Sequence, residues 1–171
     1  INLCKKFVGN EKFVVFLGDN ILRGGITKYA KEFEASNADA SILLCEVDNP
    51  SQFGVAEIEN GVIKQIIEKP KNSTSNLAVI GIYFLTPVIF DVIPRLKPSW
   101  RNELEITDAL EILLNENYEV LINTVTENWK DTGTPEDIIH ANQFILETMK
   151  PFSYGKLENG VSIDGNVMVG K

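Results

Sequence analysis

The chain has 171 residues, of which 44% are hydrophobic and 23% are charged, and its formal net charge is −8. A chain of this length can bury a core of its own, and the net charge argues against nucleic acid or an anionic membrane as the main partner. No apolar run is long enough to cross a bilayer, and no secretory signal pattern opens the chain, so we expect a cytoplasmic protein. The widely separated Cys4 and Cys45 predict reduced thiols.

The first predicted strand is the apolar run from Phe13 to Leu17, which stops at Gly18 and is followed at once by Asp19. An uninterrupted apolar run predicts a strand that is buried on both faces of a parallel sheet. Ligands of open α/β sheets bind beyond the carboxyl ends of the strands, so Asp19 lies where a functional acid is expected. It either anchors Mg²⁺ together with substrate phosphates or caps the helix that follows.

The next segments predict a βαβ unit and then an antiparallel insertion. An amphipathic helix follows Gly24-Gly25, and the apolar run 40–47 predicts the second buried strand. Two shorter strands then flank Asn60-Gly61, which is a strong hairpin signal. The hairpin ends at Glu68-Lys69-Pro70, because Pro70 cannot continue the pairing.

The run 77–85 predicts another strand, in which Gly81 leaves room either for a bound sugar ring or for ordinary sheet packing against a neighbouring helix. An apolar helix face over 106–114 and a strand over 118–125 follow. Thr134 is the expected N-cap of a last helix, with its predicted buried stripe formed by Ile138, Ile139, Ile145, Leu146 and Met149.

The sequence pattern changes after Pro151, and valines and glycines recur at intervals of about six residues between 160 and 170. This pattern predicts either the first rung of a β-helix or a plain terminal hairpin. The pattern breaks off at the last residue, and the chain begins with Ile1 instead of Met. We therefore expect a piece of a longer protein.

Two acids stand in equivalent places, because Asp19 and Asp131 each follow a predicted strand and precede a helix. If both strands belong to one sheet, the acids converge on one edge of it. Two acids with a divalent metal suit phosphoryl or nucleotidyl transfer. Lys69 would supply a charge for a phosphate and Glu68 would accept hydrogen bonds from ligand hydroxyls, although neighbouring Glu and Lys residues are also common on ordinary surfaces.

Seven motifs occur in the order found in sugar-1-phosphate nucleotidyltransferases, and over about residues 13–149 the chain most resembles glucose-1-phosphate thymidylyltransferases. The motifs are Gly18-Asp19-Asn20, Phe53-Gly54-Val55, Glu68-Lys69-Pro70, Ser75-Asn76-Leu77-Ala78, Gly81-Ile82-Tyr83, Glu103-Leu104-Glu105-Ile106-Thr107-Asp108 and Trp129-Lys130-Asp131-Thr132-Gly133-Thr134.

The resemblance implies an α/β fold of the nucleotide-diphospho-sugar transferase type, with a Rossmann-like mixed, mainly parallel sheet and an inserted antiparallel hairpin, truncated at its N-terminus. Residues 1–150 would form the C-terminal part of the catalytic domain. Residues 151–171 would form a linker and the start of a left-handed β-helix, as in longer members that carry a separate acetyl-transfer activity.

The implied activity joins a nucleoside triphosphate, dTTP or UTP, to a sugar 1-phosphate such as glucose 1-phosphate and releases pyrophosphate. The sugar phosphate oxygen attacks the α-phosphorus directly, with Mg²⁺ as cofactor. This chemistry belongs to nucleotide-sugar and polysaccharide biosynthesis. Related enzymes commonly self-associate, so further copies of the chain are expected partners beside the two substrates.

Position by position, the resemblance makes Asp19 and Asp131 the metal ligands, with Lys69 on the sugar phosphate as a third catalytic residue. It also assigns residues to the sugar-phosphate pocket and its surroundings, namely Gly54, Glu68, Lys69, Gly81, Tyr83, Arg101 and Trp129.

The chain also departs from the family pattern. The Gly-rich loop that cradles the triphosphate is absent, Asn102 stands where glycine is usual, and Phe53 stands where tyrosine is frequent. We therefore expect this chain to be inactive alone as a nucleotidyltransferase. The alternatives are a non-catalytic sugar-phosphate binding or assembly module, and a regulatory homologue that pairs with a catalytic subunit.

Overall fold

A computed structural model of the protein describes residues 1–126, 129–150, 152–165 and 167–170. Pro151 and Asn166, both part of the predicted C-terminal pattern, lie outside the described residues. The chain divides into two compact units, Ile1–Trp129 and Lys130–Lys171. The domain boundary expected after residue 150 stays a prediction. In the part of the chain that the structure describes, no helix combines the length and apolarity that a membrane span requires.

The described residues form ten strands and five α-helices across the two units. The strands are β1 (Phe13–Phe16), β2 (Asn20–Leu22), β3 (Ala40–Glu46), β4 (Gly54–Glu59), β5 (Val62–Glu68), β6 (Leu77–Leu85), β7 (Val120–Val125), β8 (Trp129–Asp131), β9 (Phe152–Ser153) and β10 (Met168–Val169). The helices are α1 (Lys5–Val8), α2 (Thr27–Ala35), α3 (Ile89–Val92), α4 (Ile106–Asn115) and α5 (Pro135–Leu146). Short 3-10 turns occupy Asn2–Cys4, Pro50–Gln52 and Ile93–Arg95.

The first unit is built around a mixed sheet of order β5-β4-β6-β3-β7, with β1 paired to β6. The predicted α/β fold with a mixed sheet and an inserted hairpin is therefore confirmed. The expected predominance of parallel pairs is corrected. β6 runs antiparallel to β1, β3 and β4, whereas β3 and β7 pair in parallel. β1 and β3 run in the same direction, as a βαβ unit requires, but β6 lies between them.

Two apolar layers enclose the sheet, and β3 contributes to both. Its residues alternate, with Ile42 and Leu44 in one cluster and Leu43 and Cys45 in the other. α3 and α4 complete the first cluster, and α2 packs against the second. This arrangement explains why β3 and β6 read as continuous apolar runs, because a strand covered on both faces has no solvent side.

β1 differs from its predicted burial. Val14 and Phe16 are exposed, and Phe13 and Val15 are half-buried. The apolar run predicts a strand covered on both faces, but among the described residues β1 pairs with β6 on one side. The predicted burial on both faces is wrong, because the face that carries Val14 and Phe16 is exposed.

The β4–β5 hairpin confirms the turn prediction. Asn60 and Gly61 have φ values of 52° and 80°, the left-handed pair that a tight two-residue turn requires. Asparagine tolerates this conformation and glycine adopts it freely, so the dipeptide fixes the turn and the register of the two strands.

In the second unit, Thr134 caps α5 as predicted and exchanges hydrogen bonds with Asp137 in a capping box. The predicted buried stripe of this helix is wrong, since Ile138 is 58% and Ile139 is 68% exposed. Helical period determines which residues share a face, but not whether another element covers that face.

The short strands β9 and β10 pair in parallel, Phe152 opposite Met168. A hairpin would pair them antiparallel, so that alternative is excluded for these two strands. The β-helix start stays a prediction.

Candidate functional site

Asn20 lies at the sheet edge where β1 ends, and its side chain joins three parts of the first unit. Its Oδ1 accepts hydrogen bonds from the Gly81 backbone N–H at 3.0 Å and from Trp129 Nε1–H at 2.7 Å. Its Nδ2 donates to the Asp19 carboxylate at 2.8 Å. Since the residue is only 9% exposed, this amide holds Asp19 in a defined place at the carboxyl end of β1.

Gly81 marks the point at which β6 changes neighbour. β6 pairs with β4 through Ala78 and Val79, and with β1 from Ile82 onward. The backbone of Gly81 falls between these ladders, so its N–H bonds to the Asn20 side chain and its C=O accepts from Leu17 N–H at 2.8 Å.

A Cβ on Gly81 would lie 2.5 Å from Asn20 Nδ2 and 2.9 Å from Leu17 Cδ1. The side chains of Asn20 and Leu17 fill the space beside this glycine, so the packing is not against a neighbouring helix. That packing requires glycine whether or not a ligand lies nearby.

Trp129 follows β7 along the chain and lies at the edge of the sheet where β1 ends. β1 and β7 run in the same direction, so the chain leaves both strands at the same edge of the sheet. The indole N–H of Trp129 binds Asn20, and its ring meets the edge of Phe53 at a centroid distance of 5.6 Å. Phenylalanine at position 53 thus contributes a ring contact without needing a hydroxyl.

A second cluster lies where β5 ends and α4 begins. Thr107 Oγ1 donates to Glu68 Oε2 at 2.9 Å, and Arg101 Nη1 approaches Glu68 Oε1 at 3.5 Å. The same Nη1 lies 3.4 Å from Glu105 Oε1, which also accepts from Ser99 Oγ at 2.8 Å. Residues from the hairpin, the 99–105 loop and α4 therefore meet in one polar group.

The electrostatics of this cluster are dominated by Glu68, whose side chain is 15% exposed. Burial raises the pKa of the Glu68 carboxyl, and the Glu105 carboxylate acts in the same direction. The hydrogen bond from Thr107 and the charges of Lys69 and Arg101 oppose these effects. A partly buried carboxyl whose pKa is subject to such opposing effects is suited to form hydrogen bonds with a polar ligand.

Arg101, predicted near the sugar-phosphate pocket, is engaged by three carboxylates. Besides Glu68 and Glu105, its Nη2 lies 2.8 Å from Glu103. The adjacent Asn102 has φ 60°, the left-handed conformation that glycine adopts freely and asparagine tolerates. Asparagine at this position is therefore compatible with a backbone conformation that glycine also adopts.

Lys69 also has left-handed backbone, with φ 43°. Its N–H donates to the Phe53 carbonyl at 2.9 Å, which closes the end of the hairpin. A non-glycine residue in this region carries a strain of about 1 kcal/mol or more and is uncommon outside turns and functional sites.

Two further predicted pocket residues, Gly54 and Tyr83, are buried. Gly54 pairs directly opposite Glu68, and a Cβ there would lie 2.4 Å from Thr107 Cγ2. Tyr83 belongs to the apolar core, and burial raises the pKa of its phenol. Gly54 therefore leaves room for the Thr107 side chain, and Tyr83 packs in the core beneath the sheet surface.

Asp131 belongs to the second unit, where its carboxylate accepts from the Gly133 N–H at 3.3 Å. A Cβ at Gly133 would lie 2.8 Å from Asp131 Oδ2, so the glycine lets the chain turn tightly over this acid before α5. In the part of the chain described, no three acidic, histidine or cysteine side chains are grouped as a complete metal site.

Sequence reasoning missed the connecting residues of both clusters. Asn20, Glu105 and Thr107 were parts of motifs without roles of their own, and Ser99 lies outside the motifs. The signal for Asn20 was its place directly after Asp19 at a strand end. The signal for Thr107 was a small hydroxyl residue in the first turn of an apolar helix, which ordinarily reads as a cap.

Comparisons with known proteins identify a family for this chain. The Nucleotidyl transferase family matches residues 1–148. The low-salt glycan biosynthesis nucleotidyltransferase Agl11 of Haloferax volcanii is 46% identical over 96% of this chain and 46% of its own length. A glucose-1-phosphate thymidylyltransferase of Streptomyces griseus is 36% identical over 98% of this chain and 47% of its own length.

Solved structures share the fold. A Bacillus anthracis structure assigned to glucose-1-phosphate thymidylyltransferase, in complex with a sucrose, has a TM-score of 0.76 at 44% identity, over 83% of this chain and 57% of that one. A UDP-glucose pyrophosphorylase complexed with UDP-glucose has a TM-score of 0.72 at 29% identity, over 83% of this chain and 58% of that one. The chain spans about half the length of the curated relatives it matches. It belongs to the nucleotidyl transferase family.

Proposed function

We propose that this chain carries the sugar-phosphate half of a nucleotidyltransferase, which in the whole protein transfers a nucleotide from dTTP or UTP to glucose 1-phosphate and releases pyrophosphate. The family match over residues 1–148 carries this proposal, because both polar clusters lie within it. The similarity to a glucose-1-phosphate thymidylyltransferase and to a UDP-glucose pyrophosphorylase supports these substrate classes.

In this proposal Lys69 binds the sugar phosphate and Glu68 accepts hydrogen bonds from the sugar hydroxyls. The hydrogen bond from Thr107 and the Arg101 contact hold Glu68 at the end of β5, next to Lys69. A fixed carboxylate beside a cation suits a ligand that carries both hydroxyl donors and a phosphate. Arg101 balances the carboxylates around it, and Gly54, Gly81 and Tyr83 shape the surface from behind.

Asp19 and Asp131 are the proposed ligands of Mg²⁺. Carboxylate oxygens are the donors that this ion prefers, and one or two of them with substrate phosphates make its usual site. When bound, Mg²⁺ neutralises charge on phosphate oxygens during in-line attack. The hydrogen bonds from Asn20 to Asp19 and from Gly133 to Asp131 support this role, since each orients an acid at a chain turn. Trp129 contributes by fixing Asn20.

Pyrophosphate release tests the activity. We expect the 171-residue chain to release none from dTTP or UTP with glucose 1-phosphate and Mg²⁺, and the whole protein to release it readily. Asp131→Asn in the whole protein should lower kcat by a factor of about 10² or more without unfolding it. Unchanged turnover would remove Asp131 from the mechanism.

The second candidate is a non-catalytic sugar-phosphate binding or assembly module, whose binding would depend on the cluster of Glu68, Arg101 and Thr107. It predicts glucose 1-phosphate binding without pyrophosphate release even by the whole protein. A cytoplasmic location and self-association are further parts of the proposal, to be tested by fractionation and light scattering.

A further inference from the structure

Thr107 lies between Gly54 and Glu68 and is 2% exposed. Its hydroxyl donates to Glu68 Oε2 at 2.9 Å. Gly54 and Glu68 are directly opposite each other in the β4–β5 ladder, so the first turn of α4 is fitted onto the last residue pair of the hairpin. This contact lies at the end of the sheet where Lys69 begins the next segment.

The methyl group of Thr107 is as tightly placed as its hydroxyl. A Cβ on Gly54 would lie 2.4 Å from Thr107 Cγ2 and 3.1 Å from Glu68 Oε2. The methyl therefore occupies the space above the glycine, and this contact fixes the side-chain rotamer that aims the hydroxyl at Glu68. β-branched side chains have few rotamers available in a helix, which strengthens the constraint.

The two oxygens of Glu68 have different surroundings. Oε2 receives the hydroxyl of Thr107, whereas Oε1 faces Arg101 Nη1 at 3.5 Å, the long end of a hydrogen bond. Arg101 is shared with Glu103 and Glu105, so its charge is not concentrated on Glu68. Oε1 is consequently the oxygen with capacity for a further donor.

We propose that Thr107 is a positioning residue that keeps the Glu68 carboxylate charged and turned so that Oε1 accepts hydrogen bonds from the hydroxyls of a bound sugar. The inference rests on the proposed function, in which Glu68 contacts the sugar. Hydrogen bonding to a carboxylate favours its charged form, so the Thr107 hydroxyl opposes the burial of Glu68 and the negative charge of Glu105, which together raise the pKa of Glu68. Lys69 and Arg101 are the cations that face the same carboxylate.

Thr107→Val and Thr107→Ser form a matched pair in this chain. Valine keeps the methyl and removes the hydroxyl, whereas serine keeps the hydroxyl and removes the methyl. NMR titration of the Glu68 side-chain carboxyl and calorimetric titration with glucose 1-phosphate provide the two measurements. For Thr107→Val we expect the Glu68 midpoint to rise by about one pH unit and the affinity to fall about tenfold. Thr107→Ser should shift the midpoint less than half as far and bind within about threefold of wild type.

A wild-type Glu68 midpoint in Thr107→Val would overturn the inference, as would equal losses in the valine and serine variants. Different results would refute the proposed function itself. These are that the wild-type chain does not bind glucose 1-phosphate, or that Glu68→Ala binds it as well as wild type does. In that event the titration midpoints still decide whether Thr107 keeps Glu68 charged.

A second pair of variants covers the case in which valine prevents folding. Gly54→Ala should displace the Thr107 methyl and raise the Glu68 midpoint, and adding Thr107→Ser should restore most of the shift by making room for the new Cβ. If the double variant titrates like Gly54→Ala alone, the methyl does not hold the hydroxyl in place and the inference is wrong.

Discussion

Replacing Asn20 by alanine removes one amide that serves three partners. The Gly81 N–H and the Trp129 Nε1–H lose their acceptor, and the Asp19 carboxylate loses a donor. Since Asn20 is 9% exposed, water has little access to the abandoned donors. An unsatisfied buried donor costs about 1–3 kcal/mol, so we expect the free energy of unfolding to fall by about 3 kcal/mol.

Asn20→Asp is the matched control. It keeps an acceptor for Gly81 and Trp129 but places a second carboxylate beside Asp19. We expect a smaller loss of about 1–2 kcal/mol at pH 7, and this loss should shrink as the pH is lowered. The reason is that like charge raises the pKa of one carboxyl in the folded state, so the folded protein takes up a proton before the unfolded chain does. The loss in Asn20→Ala should not shrink in this way.

Urea denaturation followed by Trp129 fluorescence measures both variants. The sequence has two tryptophans, and Trp100 is 76% exposed, so a Trp100→Phe background isolates the signal of Trp129 with little effect on stability. The comparison requires equal m values. A loss below about 1 kcal/mol in Asn20→Ala, or a loss in Asn20→Asp that grows at low pH, would refute the assigned hydrogen bonds.

Three further predictions concern the second cluster and its neighbours. Lys69→Gly should relieve the left-handed backbone strain, so its free energy of unfolding in urea should exceed that of Lys69→Ala by about 0.5–1 kcal/mol. Both variants should lose affinity for glucose 1-phosphate. Equal free energies of unfolding would contradict the strain. Asn102→Ala should lose about 1 kcal/mol and Asn102→Gly almost nothing, measured in the same way, and the reverse order would be inconsistent with φ 60°. The raised pKa of Glu68 means that the folded state binds more protons than the unfolded state between the two pKa values, so this group's contribution to stability is full at low pH and is lost as the pH rises through the folded pKa. The free energy of unfolding of Glu68→Gln, relative to that of wild type, should therefore be higher at pH 7 than at pH 4. A difference that does not change with pH would count against the raised pKa.

Local sequence signals predicted the features that depend on neighbouring residues. Asn60-Gly61 fixes the hairpin because its backbone angles favour that turn, and Thr134 caps α5 because its side chain reaches Asp137. The alternation of β3 between two apolar layers follows from its hydrophobic run at residues 42–45. These features need no knowledge of the distant chain.

Features that depend on distant pairing were harder to predict. The insertion of β6 between β1 and β3 leaves no local trace, since an apolar strand reads the same in either direction. The exposed stripe of α5 has the same sequence period as a buried one. The Thr107–Glu68 contact joins the end of a hairpin to a helix 39 positions later, and only the fold brings the two together.

Calorimetric titration of the 171-residue chain with glucose 1-phosphate tests most directly whether it carries a sugar-phosphate site at Glu68 and Lys69. We predict a saturable isotherm for the wild-type chain, an affinity at least about tenfold lower for Lys69→Ala, and only weak binding of glucose without its phosphate. Saturable binding that Lys69→Ala leaves unchanged, or no binding by the folded wild-type chain, would contradict the assignment.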